Sequence, residues 1–230
     1  MNPSFCKPVA GKGDGSGLSA LSSASAFSSE SSLSSIRVGI LALQGDFQAH
    51  RRAIEDLGAQ PVDVRHPGGL AGIDGLIIPG GESTTMLKLL GDEGLFDPII
   101  QFAQQHPVMG TCAGSILMAE EVLSPAQNSF GLIAMTVERN AYGRQADSSI
   151  RWIEPTTEFA ERTAPGRLET VFIRAPMIRN VGAALTVLLS DGSDPILVEQ
   201  GRHLAATFHP ELSKDRRLHA LFLDKIRSGG

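Results

Sequence analysis

Three short apolar runs do most to limit what this chain can fold into. Ile36–Leu43 (IRVGILAL), Asp74–Ile78 (DGLII) and Pro107–Gly110 each have the length of a strand. Each runs into a glycine-bearing turn: Gln44-Gly45-Asp46, Pro79-Gly80-Gly81 and Gly110-Thr111-Cys112-Ala113-Gly114. A helically spaced segment follows each turn. Phe47–Leu57 carries its apolar residues at Phe47, Ala49, Ala53, Ile54 and Leu57 and stops at Gly58. Ser83 is positioned to cap a helix through Leu90, and Ser115–Val122 reads as a helix behind the third turn. Pro61–Arg65 reads as another strand and Phe96–Gln105 as another helix. Apolar runs that do not alternate need cover on both faces, and strand–helix alternation in units of about 30 residues builds a parallel sheet with helices on both sides. The expected fold is α/β, a doubly wound, mostly parallel sheet in a single domain. From Ile133 to Leu204 the pattern turns strand-like and turn-rich, so that half is expected to be mixed or antiparallel. The strands there are Ile133–Glu138, Thr170–Ile173, Thr186–Leu189, Pro195–Gln200 and His203–Thr207, and Arg216–Ile226 closes the chain as a helix.

Composition narrows the function. The 230 residues suit one domain with a tail, and 42% hydrophobic residues are too many for a disordered chain. A net charge of −5 speaks against a nucleic-acid binder that works by neutralising phosphates. Two cysteines cannot staple a secreted mini-domain, and no two histidines share a ligand-like spacing, so neither a metal site nor a cofactor is expected. No apolar run approaches the roughly 20 residues of a membrane helix, and a soluble, cytoplasmic protein is expected. Residues 1–35 differ from the rest. Between Ser16 and Ser35, 11 of 20 residues are serine, and Lys7 and Lys12 balance Asp14 and Glu30. Such a stretch cannot offset its ordering entropy by burial. It reads as a disordered extension, with the folded domain spanning 36–228. It is serine-rich like a transit peptide but has no arginine.

The chemistry concentrates at three places. Cys112 lies between two glycines where a strand passes into a helix, the setting of a nucleophile elbow with Cys in place of Ser. A lone cysteine is usually a small buried hydrophobe, but the two glycines at a strand end favour a nucleophile here. A helix N-terminus favours thiolate, and the Ala113 N–H would face an oxyanion. A thiol nucleophile needs a base with an orienter. Phe208-His209-Pro210-Glu211 supplies both, because in an extended segment His209 and Glu211 point to one side. The other five histidines read as solvated: His50 and His219 on polar helical faces, His66 and His106 before prolines, His203 without an acid nearby. In Pro79-Gly80-Gly81-Glu82-Ser83-Thr84-Thr85 the glycines let backbone amides approach a ligand, yet no P-loop or G-x-G-x-x-G pattern is present. Among the arginines, Arg144 and Arg174 are candidates to hold a carboxylate.

Together these runs resemble the triad (class I) glutamine amidotransferases, and among them the glutaminases of pyridoxal 5′-phosphate synthase. The resemblance spans Ile36 to about Ile226. It rests on Leu43-Gln44-Gly45, the run from Leu76 to Met86, the elbow, Val137-Glu138-Arg139-Asn140 with Gly143-Arg144-Gln145, Phe172-Ile173-Arg174-Ala175-Pro176 and Phe208-His209-Pro210-Glu211-Leu212. It implies a Cys112, His209, Glu211 triad, oxyanion donors at Gly81 and Ala113, and a pocket for L-glutamine lined by Gly81, Glu82, Ser83, Arg139, Ile173 and Arg174. It also implies ammonia transfer to a synthase subunit that resembles a (β/α)8 barrel, and weak activity until that partner docks and a Gly80–Gly81 peptide flip completes the oxyanion hole. Three other readings compete: the glutaminase of another ammonia-channelling synthase, a non-catalytic regulator on the same scaffold, and a cysteine peptidase of similar fold.

Overall fold

Strand-length apolar runs that lack alternation end up buried on both faces. The computed structural model describes residues 36–140 and 148–229; the extension, Cys6 and the Gly143-Arg144-Gln145 motif lie outside them. In chain order the elements are β1 (Arg37–Leu41), α1 (Phe47–Asp56), β2 (Gln60–Val64), β3 (Gly75–Ile78), α2 (Ser83–Asp92), α3 (Phe96–Ala103), β4 (Val108–Thr111), α4 (Ala113–Met118), β5 (Ala119–Leu123) and β6 (Ile133–Glu138). There follow β7 (Ser149–Ile153), α5 (Thr157–Arg162), β8 (Leu168–Phe172), β9 (Met177–Val181), β10 (Thr186–Asp191), β11 (Asp194–Gln200), β12 (His203–Ala206) and α6 (Arg217–Arg227). A seven-stranded sheet runs in the order β10-β11-β12-β4-β3-β1-β2. Its β2, β1, β3, β4 and β12 strands are mutually parallel, and β11 and β10 continue it antiparallel.

Successive residues of the central strands feed opposite cores. Leu76, Ile78 and Val108 join Met86, Leu90, Ile99 and Leu117 beneath α2, α3 and α4. Val38, Ile40, Ile77 and Met109 join Ile54, Leu218 and Phe222 beneath α1 and α6. This is the doubly wound arrangement expected. Beside it stand a three-stranded sheet, β5-β6-β9, and the antiparallel pair β7-β8.

Local departures have local causes. The helix expected over Ser115–Val122 is instead the six-residue α4, after which Ala119 turns extended and Ala119–Leu123 pairs with β6. Glu82, not Ser83, caps α2, its carboxylate accepting from the Thr85 N–H at 2.9 Å. The strand β7 escapes the apolar pattern because Ile150 and Trp152 face outward, 62% and 61% exposed. Strand β9 escapes it because Arg179 and Asn180 are exposed, and α5 because it is only six residues long.

Candidate active site

Every expected site residue within the described chain converges at the carboxyl ends of β3, β4 and β12. This is the edge where open α/β sheets bind ligands. Cys112 follows β4 at φ 47° and ψ −106°, a strained conformation for a non-glycine residue. Its flanking glycines are steric requirements. A Cβ on Gly114 would lie 2.0 Å from the Ile78 carbonyl oxygen, and one on Gly110 would lie 2.6 Å from the Gly114 carbonyl oxygen. The elbow therefore closes against β3 only with hydrogen at both positions. The Cys112 N–H donates to the Ala206 carbonyl at 2.8 Å, and Sγ lies 3.9 Å from the Ile173 carbonyl oxygen.

Strand β12 runs parallel beside β4, Ala205 opposite Gly110 and Ala206 opposite Thr111. The chain leaving β12 thereby delivers His209 next to Cys112. The His209 N–H donates to the Val171 carbonyl at 2.8 Å. Its Nδ1 lies 2.7 Å from Glu211 Oε1, both residues being buried. The contact arises differently from the extended spacing expected. Pro210–Leu212 is a 3₁₀ turn, which folds the carboxylate back under the imidazole. Burial by itself would lower the His209 pKa, but hydrogen bonds to Cys112 and Glu211 override it and push the imidazole up to about 10. Burial likewise opposes ionisation of Glu211, yet His50 and His209 hold its carboxyl below the usual range. A thiol paired with such a base can act as a nucleophile.

A cavity of about 240 Å³ opens onto Cys112. Gly81, Glu82, Ser83, Ala113, Arg139, Ile173, Arg174 and His209 all line it, so every expected pocket residue is present. Gln44, Ile116 and Asn140 line it too and were not expected. Gln44 had a signal, because it opens the Gly45 turn. Its Oε1 accepts from the Glu82 N–H at 3.0 Å and braces the glycine loop. Burial raises the Glu82 pKa, but the Thr85 hydrogen bonds and the charge of Arg139 outweigh it, so Glu82 stays ionised as the cap. Arg139 lies 3.6 Å from Glu82 and donates to Thr84 Oγ1 at 2.6 Å. Arg174 is exposed at the rim with φ 46°. Gly81 has φ 152°, and the Gly80 carbonyl accepts from the Asp46 N–H at 3.4 Å, which turns the Gly81 N–H the opposite way.

Gly80 contributes more than flexibility. A Cβ there would stand 2.4 Å from His209 Cε1 and 3.3 Å from Cys112 Cβ. The histidines expected in solvent divide. His66 is exposed and His106 half-buried, stacked on Phe102 at 4.4 Å. His50 and His219 are fully buried, because they sit on the core-facing sides of α1 and α6. His203 is largely enclosed as well; burial beside Arg202 and Lys225 lowers its pKa to about 4, and its Nδ1 accepts from the Val108 N–H at 3.2 Å.

A cysteine elbow over a doubly wound sheet, with a histidine and glutamate arriving from the neighbouring strand, defines a glutamine amidotransferase of the triad class. The chain belongs to the SNO glutamine amidotransferase family, whose model matches residues 40–228. It is 60% identical over 190 residues to the pyridoxal 5′-phosphate synthase subunit PdxT of Solibacter usitatus, covering 83% of this chain and 99% of that protein. It is 50% identical over 195 residues to the subunit of the same name from Koribacter versatilis, covering 84% and 97%. A solved glutamine amidotransferase superposes with a TM-score of 0.75 at 42% identity, covering 83% of this chain and 98% of that one. A chain of PurLQS from Thermotoga maritima shares the fold, with a TM-score of 0.63 at 15% identity over 83% and 98%.

Proposed function

We propose that this chain is the glutaminase subunit of a pyridoxal 5′-phosphate synthase, with residues 36–228 as its amidotransferase domain and 1–35 as an extension. Cys112 Sγ attacks the side-chain amide carbon of L-glutamine, and the Gly81 and Ala113 N–H groups take the developing oxyanion. His209 carries the thiol proton to the departing nitrogen, releasing ammonia and leaving a thioester on Cys112. His209 then takes a proton from water, which attacks the thioester and frees L-glutamate. Glu211 fixes the tautomer and ring orientation of His209 throughout. Arg139 and Arg174 offer guanidinium groups for the glutamine carboxylate, and Glu82, Ser83 and Ile173 shape the pocket. Ammonia passes to the synthase subunit, which combines it with a pentose phosphate and a triose phosphate.

The observation that carries this reading is the single cavity onto which the Cys112–His209 pair and all the expected pocket residues open. The residue assignments are tested by co-purifying the chain with the synthase subunit and following glutamine hydrolysis with and without it. Hydrolysis is expected to rise on docking and to vanish in Cys112→Ala. Full activity in that variant would overturn the mechanism. Transfer of labelled ammonia to an unrelated acceptor, and not to this synthase, would overturn the choice of partner.

No helix among the described residues is long and apolar enough to cross a membrane.

A further inference from the structure

The triad does not end at Glu211. His50 of α1 and His219 of α6 are both wholly buried. His50 Nε2 lies 3.3 Å from Glu211 Oε2 and 3.0 Å from Thr111 Oγ1. His50 Nδ1 lies 3.0 Å from His219 Nε2. Glu211 Oε1 is already taken by His209, while Glu211 Oε2 makes only the close His50 contact and, like His219 Nδ1, has no hydrogen-bond partner among the described residues.

Those contacts select one proton arrangement. If His50 carries its proton on Nε2, it donates to Thr111 Oγ1 and sets the positive edge of the ring 3.3 Å from Glu211 Oε2. Its Nδ1 then accepts from the His219 Nε2–H, and the atom left unpaired is a bare acceptor on His219. The other tautomer aims a lone pair at a buried carboxylate oxygen and strands an N–H donor on His219, and a stranded buried donor is the costlier fault. The groups facing His50 are Glu211 and His209 from the turn after β12, His219 from α6, Arg216 just before α6, and Asp46 at the start of its own helix. Burial outweighs the pull of Glu211 and keeps His50 neutral, and burial with the neighbouring His50 and Arg216 does the same for His219.

We propose that His50, its tautomer set by His219, is a positioning residue that holds the second oxygen of Glu211 and thereby aims the first at His209. A buried carboxylate with one oxygen unpartnered can rotate about its last bond, and the imidazole it orients rotates with it. The His209 bond on one oxygen and the His50 N–H dipole 3.3 Å from the other oppose that rotation from two sides. The proposal rests on the glutaminase reading for its chemistry, but half of its test does not.

The test uses the full chain with Cys6→Ala, which leaves Cys112 as its one thiol. His50→Gln keeps an N–H where Nε2 stands, and His50→Leu removes it while keeping the space filled. With the synthase subunit bound, His50→Leu is expected to lower kcat for glutamine hydrolysis about 10- to 100-fold with KM within roughly twofold of wild type. His50→Gln is expected to stay within about threefold. On the chain alone, the pH midpoint for iodoacetamide alkylation of Cys112 should rise by about one unit in His50→Leu and hold in His50→Gln. Wild-type kcat and midpoint in His50→Leu would overturn the proposal, as would a His50→Gln variant as impaired as His50→Leu. Nitrogen NMR of the unsubstituted chain needs no variant to fold. It should show His50 as the neutral Nε2–H tautomer at pH 7.5, and the Nδ1–H tautomer there would overturn the proposal. A wild-type complex that fails to hydrolyse glutamine sinks the glutaminase reading instead, and leaves the alkylation and NMR results to decide the role of His50.

Discussion

Gly80→Ala places one methyl group against His209, the proposed base, and the structure sets the size of the effect. Gly80 does not have positive φ, so its backbone accepts alanine without strain. The new Cβ would meet His209 Cε1 at 2.4 Å and Nδ1 at 2.9 Å, where ordinary contact begins at 3.4 Å. The shortfall on Cε1 is about 1 Å, and the ring must yield because Gly80 is fixed between β3 and the loop braced by Gln44. Nδ1 is also the atom bonded to Glu211 at 2.7 Å, so any shift breaks the alignment with the carboxylate, with Cys112 or with both. A misplacement of that size at reacting groups costs about 100-fold, equal to about 2.7 kcal/mol of barrier. Overpacking should cost about 1–3 kcal/mol of stability as well. The assay is glutamine hydrolysis by the synthase-bound chain, with thermal unfolding alongside. Gly91→Ala, on the exposed side of α2 with nothing near its Cβ, is the control. It should leave turnover unchanged and stabilise by up to about 1 kcal/mol. If Gly80→Ala turned over glutamine as fast as wild type, His209 would not work from the position described, and the steric argument would fail.

Other outcomes follow from the same geometry. Arg174→Gly relieves a left-handed residue at the pocket rim, so stability should hold or rise by up to about 1 kcal/mol while KM for glutamine increases; lost stability with unchanged KM would contradict both roles. Gly81→Val should lose about 3 kcal/mol of transition-state stabilisation. Its Cβ would also strike Gln44 Oε1 at 2.6 Å from a φ of 152°, so the loop is displaced along with the donor, and unchanged turnover would remove Gly81 from the oxyanion hole. His50 and His219 both have pKa values below 6.5 in the fold, because burial disfavours their charged forms. The unfolded chain therefore binds more protons below that pH, and this part of the stability is present above pH 6.5 and lost as pH falls further. Urea midpoints measured at pH 7.5 and 5.5 should show His219→Phe losing less on acidification than wild type, and equal losses would mean that His219 does not stay neutral.

Some of this protein is written into short stretches of its sequence. Unalternated runs such as Leu76-Ile77-Ile78 announce a sheet covered on both faces, because consecutive side chains of a strand point to opposite sides. The glycines around Cys112 announce an elbow because no side chain fits where Gly110 and Gly114 stand. The His209–Glu211 contact spans two residues, so any tight turn can close it. Beyond such stretches local pattern fails. Nothing near Ala119 signals that it leaves a helix to pair with Ile133, since the partner strand decides it. His50 and His219 are 169 residues apart, and polar side chains at helical spacing look solvated until α1 and α6 are packed side by side. The same holds for Gln44, Arg139 and Arg174, which reach one cavity from beyond the ends of β1, β6 and β8, strands of three different sheets that only the fold brings together. Local pattern carried the central parallel strands and the candidates Cys112, His209 and Glu211; the sheet order and helix packing decided what surrounds them. A periodic pattern reports which face of an element is covered, whereas the identity of the covering group is a property of the assembled fold.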